Sequence, residues 1–179
     1  MSSLMTAEIV NAVVLTAVLE ADLGSHRKIT RFRVVRPFFT TAAIVPLFLE
    51  EVTTRGAGLA VELAGVAAGV LAGLIALTLM RVYRSSRTGR PASAAGLSYA
   101  LLWAAIVGAR ALFSYGSYHW FGAQLGQWMA TSGVSGNAIT DGLIFMAVAM
   151  VLVRAIGLGV RAVHLPVVTP TDSRELQEA

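Results

Sequence analysis

The sequence predicts an all-α polytopic membrane protein, a bundle of five transmembrane helices with the N-terminus outside and the C-terminus cytoplasmic. The chain of 179 residues is 56% hydrophobic and has a mean hydropathy of +0.70, whereas soluble domains are about 45–50% apolar. Basic and acidic residues also alternate with the apolar blocks, and basic loops are retained on the cytoplasmic side. We therefore expect a multi-pass protein of the cell membrane.

Five apolar segments are long enough to cross a hydrocarbon core about 30 Å thick, which needs roughly 20 residues of helix. Their ranges are 4–21, 37–54, 57–80, 95–118 and 139–161. No Lys or Arg precedes the first segment, which favours a retained helix over a cleaved signal peptide. The second begins at Pro37, a first-turn position where the missing N–H of proline costs nothing. The helices form one transmembrane domain, 1–165, and the polar tail 166–179 is predicted to be disordered.

The connecting segments differ in charge and length. Five of the fourteen Lys and Arg residues lie in 27–36 and four in 81–90, so the connections 22–36 and 84–93 are predicted to be cytoplasmic loops. The longest loop, 119–138, is expected outside, where its amphipathic sequence predicts a short interfacial helix. Because the arginines flank membrane spans, they account for the pI near 10.1, and nucleic acid is not an expected partner.

The third predicted helix combines small residues with a carboxylate. Gly65, Gly69 and Gly73 follow one another at four-residue intervals, which allows another helix to approach closely. That helix could belong to the same chain or to a second copy in a homo-oligomer. Glu62 lies on the same face by the geometry of the helix, so we expect it to face protein rather than lipid.

The fourth predicted helix carries an arginine deep in its apolar sequence. Arg110 lies roughly 22 Å along the axis from the inner end, and a guanidinium at this depth needs partners. The candidates at comparable depth are Glu50, Glu62 and Asp141. Two interpretations stay open: an Arg–carboxylate contact that only fixes the order of the helices, or a functional acid site. Because the carboxylates outnumber this arginine, a surplus acid would remain protonated in an apolar environment.

Aromatic residues accompany these candidate acids. Tyr99, Trp103 and Phe113 share the face of Arg110, and Tyr115 and Trp120 lie nearby in the sequence. A neutral carboxylic acid donates protons, and aromatic faces stabilise cations. The combination suits protonation of an alkene or epoxide followed by shielding of a carbocation, and it also suits a proton-coupled carrier. A carrier requires polar groups that continue to the inner side, where the predicted helices are nearly devoid of them.

Metal and cofactor chemistry have little support in the sequence. The chain has no Cys, which excludes thiol redox chemistry and thiolate metal sites. His26 and His164 are predicted on the inner side and His119 on the outer side, so they cannot ligate one haem across a bilayer. No cofactor or metal is therefore expected.

The membrane portion, about residues 5–162, resembles a small integral membrane family of actinobacteria that is similar in layout to CcdC-like proteins. The segments LGSHRKITRFRVVRPFF, GARALFSYGSYHWF and TDGLIFMAVAM carry this resemblance. The chain also resembles the membrane-bound terpene cyclases of bacterial indole-sesquiterpenoid (xiamycin-type) pathways. The second resemblance implies a metal-independent cyclase, of isomerase or lyase type, that acts on a lipophilic prenylated aromatic substrate. The absence of Cys and of a haem ligand pair counts against a CcdC-like role.

Three functions follow from these features. In a cyclase, Glu62, Glu50 or Asp141 would donate the proton and Arg110 would orient the acids. The substrate would be bound by the five aromatic residues Tyr99, Trp103, Phe113, Tyr115 and Trp120. The alternatives are a non-catalytic accessory or assembly protein of the membrane, in which every acid is paired, and a proton-coupled small-molecule carrier.

The predicted topology can be tested by tagging. Tags in 89–92 and after Ala179 should be protected in intact cells, because both sites are expected to be cytoplasmic. A tag in 132–136 should be accessible from outside. A cytoplasmic location of the tag in 132–136 would contradict the assignment from charge.

Overall fold

A computed structural model describes residues 15–16, 20, 22–48, 56–85 and 89–166. Within these residues the protein contains five helices and one antiparallel sheet of three strands. The helices are α1 (Arg31–Phe48), α2 (Gly56–Thr78), α3 (Leu97–His119), α4 (Gly122–Ser132) and α5 (Gly136–Val163). The strands are β1 (Gly24–Lys28), β2 (Met80–Arg84) and β3 (Pro91–Ala95).

Three of the helices, α2, α3 and α5, are long and apolar enough to cross a membrane. They correspond to the third, fourth and fifth predicted spans. Most of the first predicted span lies outside the described residues. The second corresponds in part to α1. This helix begins at Arg31 and not at Pro37 as predicted, so it includes the basic residues just before the proline. The structure is thus mostly helical, as predicted, but it is not all-α.

Helices α2 and α5 form a tightly packed parallel pair. Gly65 faces Gly142, Gly69 faces Met146, and Gly73 lies against Met150 and Val153. A methyl group on Gly73 would lie 2.8 Å from the Met150 carbonyl oxygen, which is closer than side chains approach a backbone. In lipid, such close backbone packing is a main source of helix association. The glycine face predicted to receive a helix receives α5 of the same chain.

The sheet lies at one end of this helix pair, and its strands include parts of both segments that were predicted to be loops. Strand β3 is central, with β1 and β2 antiparallel on either side. Strands β2 and β3 form a hairpin between α2 and α3, and its turn contains Gly89 at φ +61, which favours glycine. Pro91 is the first residue of β3, where a proline is tolerated in a strand. We call this end of the molecule the sheet end and the opposite one the α4 end.

The apolar core is concentrated at the sheet end. Met80 and Ala95 of the sheet pack with Tyr99 and Trp103 of α3 and with Leu158 of α5. These side chains are each no more than 5% exposed. The same core includes Ala76 of α2, so it joins the hairpin to α2, α3 and α5.

Helix α4 confirms the short helix predicted in the longest loop. It ends at Gly133, whose φ of +65 is left-handed, and the Gly133 N–H donates to the Met129 carbonyl group. None of its residues is buried, as expected for a helix that lies along a surface. Ser135 then caps the start of α5, and its hydroxyl accepts a hydrogen bond of 3.1 Å from the Ala138 N–H.

Substitution of Gly69 by Leu should destabilise the protein, because the new side chain would separate α2 from α5. Even a methyl group at this position would lie 2.9 Å from Cβ of Ala149, and overpacking typically costs about 1–3 kcal/mol. Gly108→Leu in α3 is a matched control, since a Cβ there meets nothing within 4 Å. The measurement is the melting temperature in detergent. Equal melting temperatures of the two variants would contradict the assignment of the glycine face.

Candidate functional sites

At the sheet end, a buried aspartate is held by side chains from distant parts of the chain. Asp22 is 0% exposed. One carboxylate oxygen accepts a hydrogen bond from Arg33 at 2.8 Å, and the other accepts one from the Tyr99 hydroxyl at 2.6 Å and one from Arg154. Arg33 also donates to the Ser93 hydroxyl at 3.2 Å. We call these five residues the sheet-end cluster.

Charge and local structure explain why the sheet-end cluster forms. Two guanidinium groups surround one carboxylate, so each charge that leaves water gains an opposite charge and a hydrogen bond. Arg154 is 9% exposed and also donates to the Tyr99 hydroxyl at 3.1 Å. Arg33 lies in the first turn of α1, and Ser93 faces it from the central strand. The cluster therefore connects α1, β3, α3 and α5 through one carboxylate.

This cluster was not predicted from the sequence, and the expectation that the inner halves of the helices are nearly devoid of polar groups is wrong. Two signals were available. Arg154 lies within the last apolar segment, and Asp22 lies next to a strongly basic segment. A buried arginine in an apolar helix requires a carboxylate, and Asp22 and Glu20 are the unassigned ones on that side.

Toward the α4 end, two carboxylates lie at the same level of the parallel helix pair. Glu62 is 3% exposed and Asp141 is 2% exposed. Their chain neighbours Val61 and Gly142 are in contact, since a Cβ on Gly142 would lie 3.2 Å from the Val61 carbonyl oxygen. Both carboxylates are thus buried beside the same contact between α2 and α5. We call Glu62 and Asp141 the acid pair.

The other predicted charged residues do not complete this site as expected. Arg110 is half-buried, and no salt bridge joins it to Glu62, Asp141 or another carboxylate among the described residues. The expected contact between the Arg110 guanidinium and the carboxylates of Glu62 and Asp141 is therefore not what the structure shows. Glu50, the remaining candidate acid, lies outside the described residues.

The five predicted aromatic residues separate into two groups along α3. Tyr99 and Trp103 are buried at the sheet end, with ring centroids 6.3 Å apart. At the other end Phe113 packs against Phe121 at 5.7 Å. Tyr115 and Trp120 meet edge to face at 5.3 Å and are 42% and 63% exposed. The shared helix face was predicted correctly, but a single aromatic site was not, because the face extends over several turns whose surroundings differ.

Neither polar site resembles a metal centre. In the part of the chain that the structure describes, no three His, Cys, Asp or Glu side chains are grouped so that they could hold a metal ion. Comparisons of the chain with protein families, curated proteins and solved structures found no match. The sheet-end cluster and the acid pair are therefore the features from which a function can be inferred.

Replacement of Asp22 by Asn should strongly destabilise the protein, because the buried guanidinium group of Arg154 and the partly buried one of Arg33 would lose their counter-charge. Breaking a buried ion pair by removing one partner costs about 3–5 kcal/mol. Glu20→Gln is the control: it removes one negative charge at an exposed position of the same segment. Melting temperatures in detergent should fall for Asp22→Asn and hardly change for Glu20→Gln. An equal effect of both changes would show that only net charge is important.

Proposed function

We propose that this protein is a multi-pass protein of the cell membrane in which the acid pair donates a proton to a lipophilic substrate. In this proposal the chain crosses the bilayer five times, with the N-terminus outside and the sheet end in the cytoplasm. The observation that carries it is the burial of Glu62 and Asp141 at one level of a spanning helix pair. Ionisable residues inside a membrane are costly and mark functional sites.

The chemistry of the acid pair supports a proton donor. A carboxylic acid that carries its proton is a donor, and when it is positioned beside a bound substrate it can transfer that proton to it. Both carboxyl groups are buried beside the close contact between α2 and α5, which keeps them away from water.

The resemblance to membrane-bound terpene cyclases specifies the reaction: cyclisation of a prenylated aromatic substrate without a metal. With an epoxide, the carboxyl proton would pass to the epoxide oxygen, and one C–O bond of the epoxide would break. With an alkene, the π electrons of the double bond would form a C–H bond to the same proton. The resulting carbocation would be attacked by the π electrons of a neighbouring double bond, which forms a C–C bond. Loss of a proton to the carboxylate would close the cycle and restore the acid.

Depth along the helices determines which aromatic residues could shield the cation. Glu62 lies roughly 24 Å from the sheet end of α2, and Phe113 lies roughly 24 Å from the sheet end of α3. Trp103 lies only about 9 Å from that end. The proposal therefore assigns cation shielding to Phe113. It removes Trp103 and Tyr99 from this role. Tyr115, two residues further along α3 than Phe113, points to a different side of the helix and is not assigned this role.

Arg110 has a less direct role in this proposal than a clamp on the acids. It lies roughly 20 Å from the sheet end of α3, close to the depth of the acid pair. A positive charge at that depth favours the carboxylate that remains after proton transfer, even without a hydrogen bond to it. Arg110 would thus stabilise the ionised acid while the carbocation exists.

A non-catalytic accessory or assembly protein is the second candidate. The observation in its favour is that Asp22 satisfies its charge entirely within the protein, as expected if polar residues only hold the helices together. The third function is a proton-coupled carrier, and the polar residues of the sheet-end cluster count in its favour. However, between the acid pair and the sheet-end cluster the backbones of α2 and α5 are in contact at Gly69 and Gly73, which leaves no path along this interface.

Cyclase activity should depend on the acid pair. Membranes that contain the protein are incubated with a farnesylated aromatic compound, offered both as alkene and as epoxide, and cyclic products are quantified. Glu62→Gln or Asp141→Asn should lower turnover by roughly 10²–10⁴-fold, the usual contribution of a positioned proton donor. Glu20→Gln, which changes an exposed acid, should keep full activity.

Two results would decide against the enzyme. Full activity of the Glu62→Gln/Asp141→Asn double variant would reject the acid pair as the proton donor. Absence of cyclic products from well-folded wild-type protein with both substrates would favour the accessory protein. The melting temperature of each variant in detergent separates loss of activity from loss of folding.

A further inference from the structure

The sheet presents a basic face on the side opposite the core. Residues paired directly across antiparallel strands point to the same face. The pairs Met80–Ala95 and Val82–Ser93 face the core and the sheet-end cluster. Arg81, paired with Ala94, therefore lies on the other face. Lys28 is paired with Ala92 and belongs to this outward face as well.

Two exposed cationic side chains lie on the outward face. The central strand contributes only small residues to it, Ala92, which is 3% exposed, and Ala94, which is partly exposed. On either side the flanking strands contribute Lys28 and Arg81, both exposed. Tyr83, paired with Ala92, completes the side of β2. The result is a face with a positive charge on each side of small central residues.

The hairpin lies where lipid headgroups would be if α2 and α3 cross a bilayer. Strand β2 begins two residues after α2 ends. Arg161 of α5 donates to the Leu77 carbonyl oxygen at 2.7 Å, and Arg84 donates to the Leu165 carbonyl oxygen at 3.3 Å. The hairpin thus runs beside the last turns of α5. That helix is roughly 42 Å long, longer than a hydrocarbon core of about 30 Å, so its last turns extend into the headgroup layer.

Carboxylates do not balance this charge in the described part of the sheet end. The acids there are Asp22, which is buried in the sheet-end cluster, and Glu20. The Arg27 guanidinium donates a hydrogen bond of 2.6 Å to the backbone carbonyl oxygen of Glu20 and not to the Glu20 carboxylate. The outward face therefore has a surplus of positive charge at the level of the inner headgroups.

We propose that the outward face of the sheet, formed by Lys28, Arg81, Tyr83, Ala92 and Ala94, binds the phosphate headgroups of anionic lipids in the inner leaflet. Clusters of Lys and Arg next to the cytoplasmic end of a membrane helix are attracted to anionic lipids. A phosphate group in front of this face can approach the exposed Lys28 and Arg81 side chains. This inference rests on the proposed topology, in which the sheet end is cytoplasmic, and not on the proton-donor function.

The test is a titration of detergent-solubilised full-length protein with phosphatidylglycerol, followed by the melting temperature. The wild-type melting temperature should rise with phosphatidylglycerol and not with phosphatidylcholine, since a ligand that binds the folded state stabilises it. Each basic residue near a membrane surface contributes roughly fivefold to lipid affinity. The Lys28→Gln/Arg81→Gln variant should therefore need about 25-fold more lipid for the same rise.

Arg36→Gln is the matched control, because Arg36 is exposed in α1, outside the sheet. It should need about the same amount of lipid as the wild type. An Arg36→Gln effect as large as that of the double variant would reject the face and leave only general attraction by charge. Inorganic phosphate should not reproduce the rise; an equal rise with phosphate would reject a lipid as the occupant. The double variant should match the wild-type melting temperature in the absence of lipid.

Discussion

The contact of Asp22 with two arginines is the interaction on which the sheet end depends. Its carboxylate meets Arg33 from the start of α1, Arg154 from α5 and Tyr99 from α3. Apolar packing is not directional and would allow these elements to slide or rotate, whereas a carboxylate with three donors defines both distance and direction. Because Arg33 also binds Ser93, the same carboxylate positions the central strand. The register of the sheet relative to the helices follows from one buried charge.

The acid pair depends on a second constraint, the contact between the backbones of α2 and α5. In lipid, apolar side chains gain little by leaving their surroundings, so helices associate through close packing of small residues. Gly65, Gly69 and Gly73 supply that packing over two turns. A consequence of the parallel arrangement is that Glu62 and Asp141, each near the start of its helix, come to the same level. The glycine stripe thus both stabilises the bundle and brings the two acids together.

The sequence predicted those features of the fold that depend on local pattern. Apolar length predicted α2, α3 and α5, the spacing of glycines predicted the packed face of α2, and amphipathicity predicted α4. The sheet was missed because its strands are short and their partners lie in separate basic segments. The sheet-end cluster was missed because Asp22 and Arg154 are 132 residues apart. Helical periodicity placed Tyr99 and Phe113 on one face, but periodicity carries no information about what surrounds each turn.

The distribution of charge along α5 explains why structural and chemical roles are separated in this molecule. Asp141 and Arg154 lie roughly 20 Å apart on this helix, too far for either to neutralise the other. Each charge therefore has to be balanced near its own end. At the sheet end Asp22 accepts hydrogen bonds from two arginines and a tyrosine that come from three different helices, and such a cluster suits a structural role. Nearer the α4 end two acids are buried at one level beside the contact between α2 and α5, and this arrangement suits the proton donor that we propose.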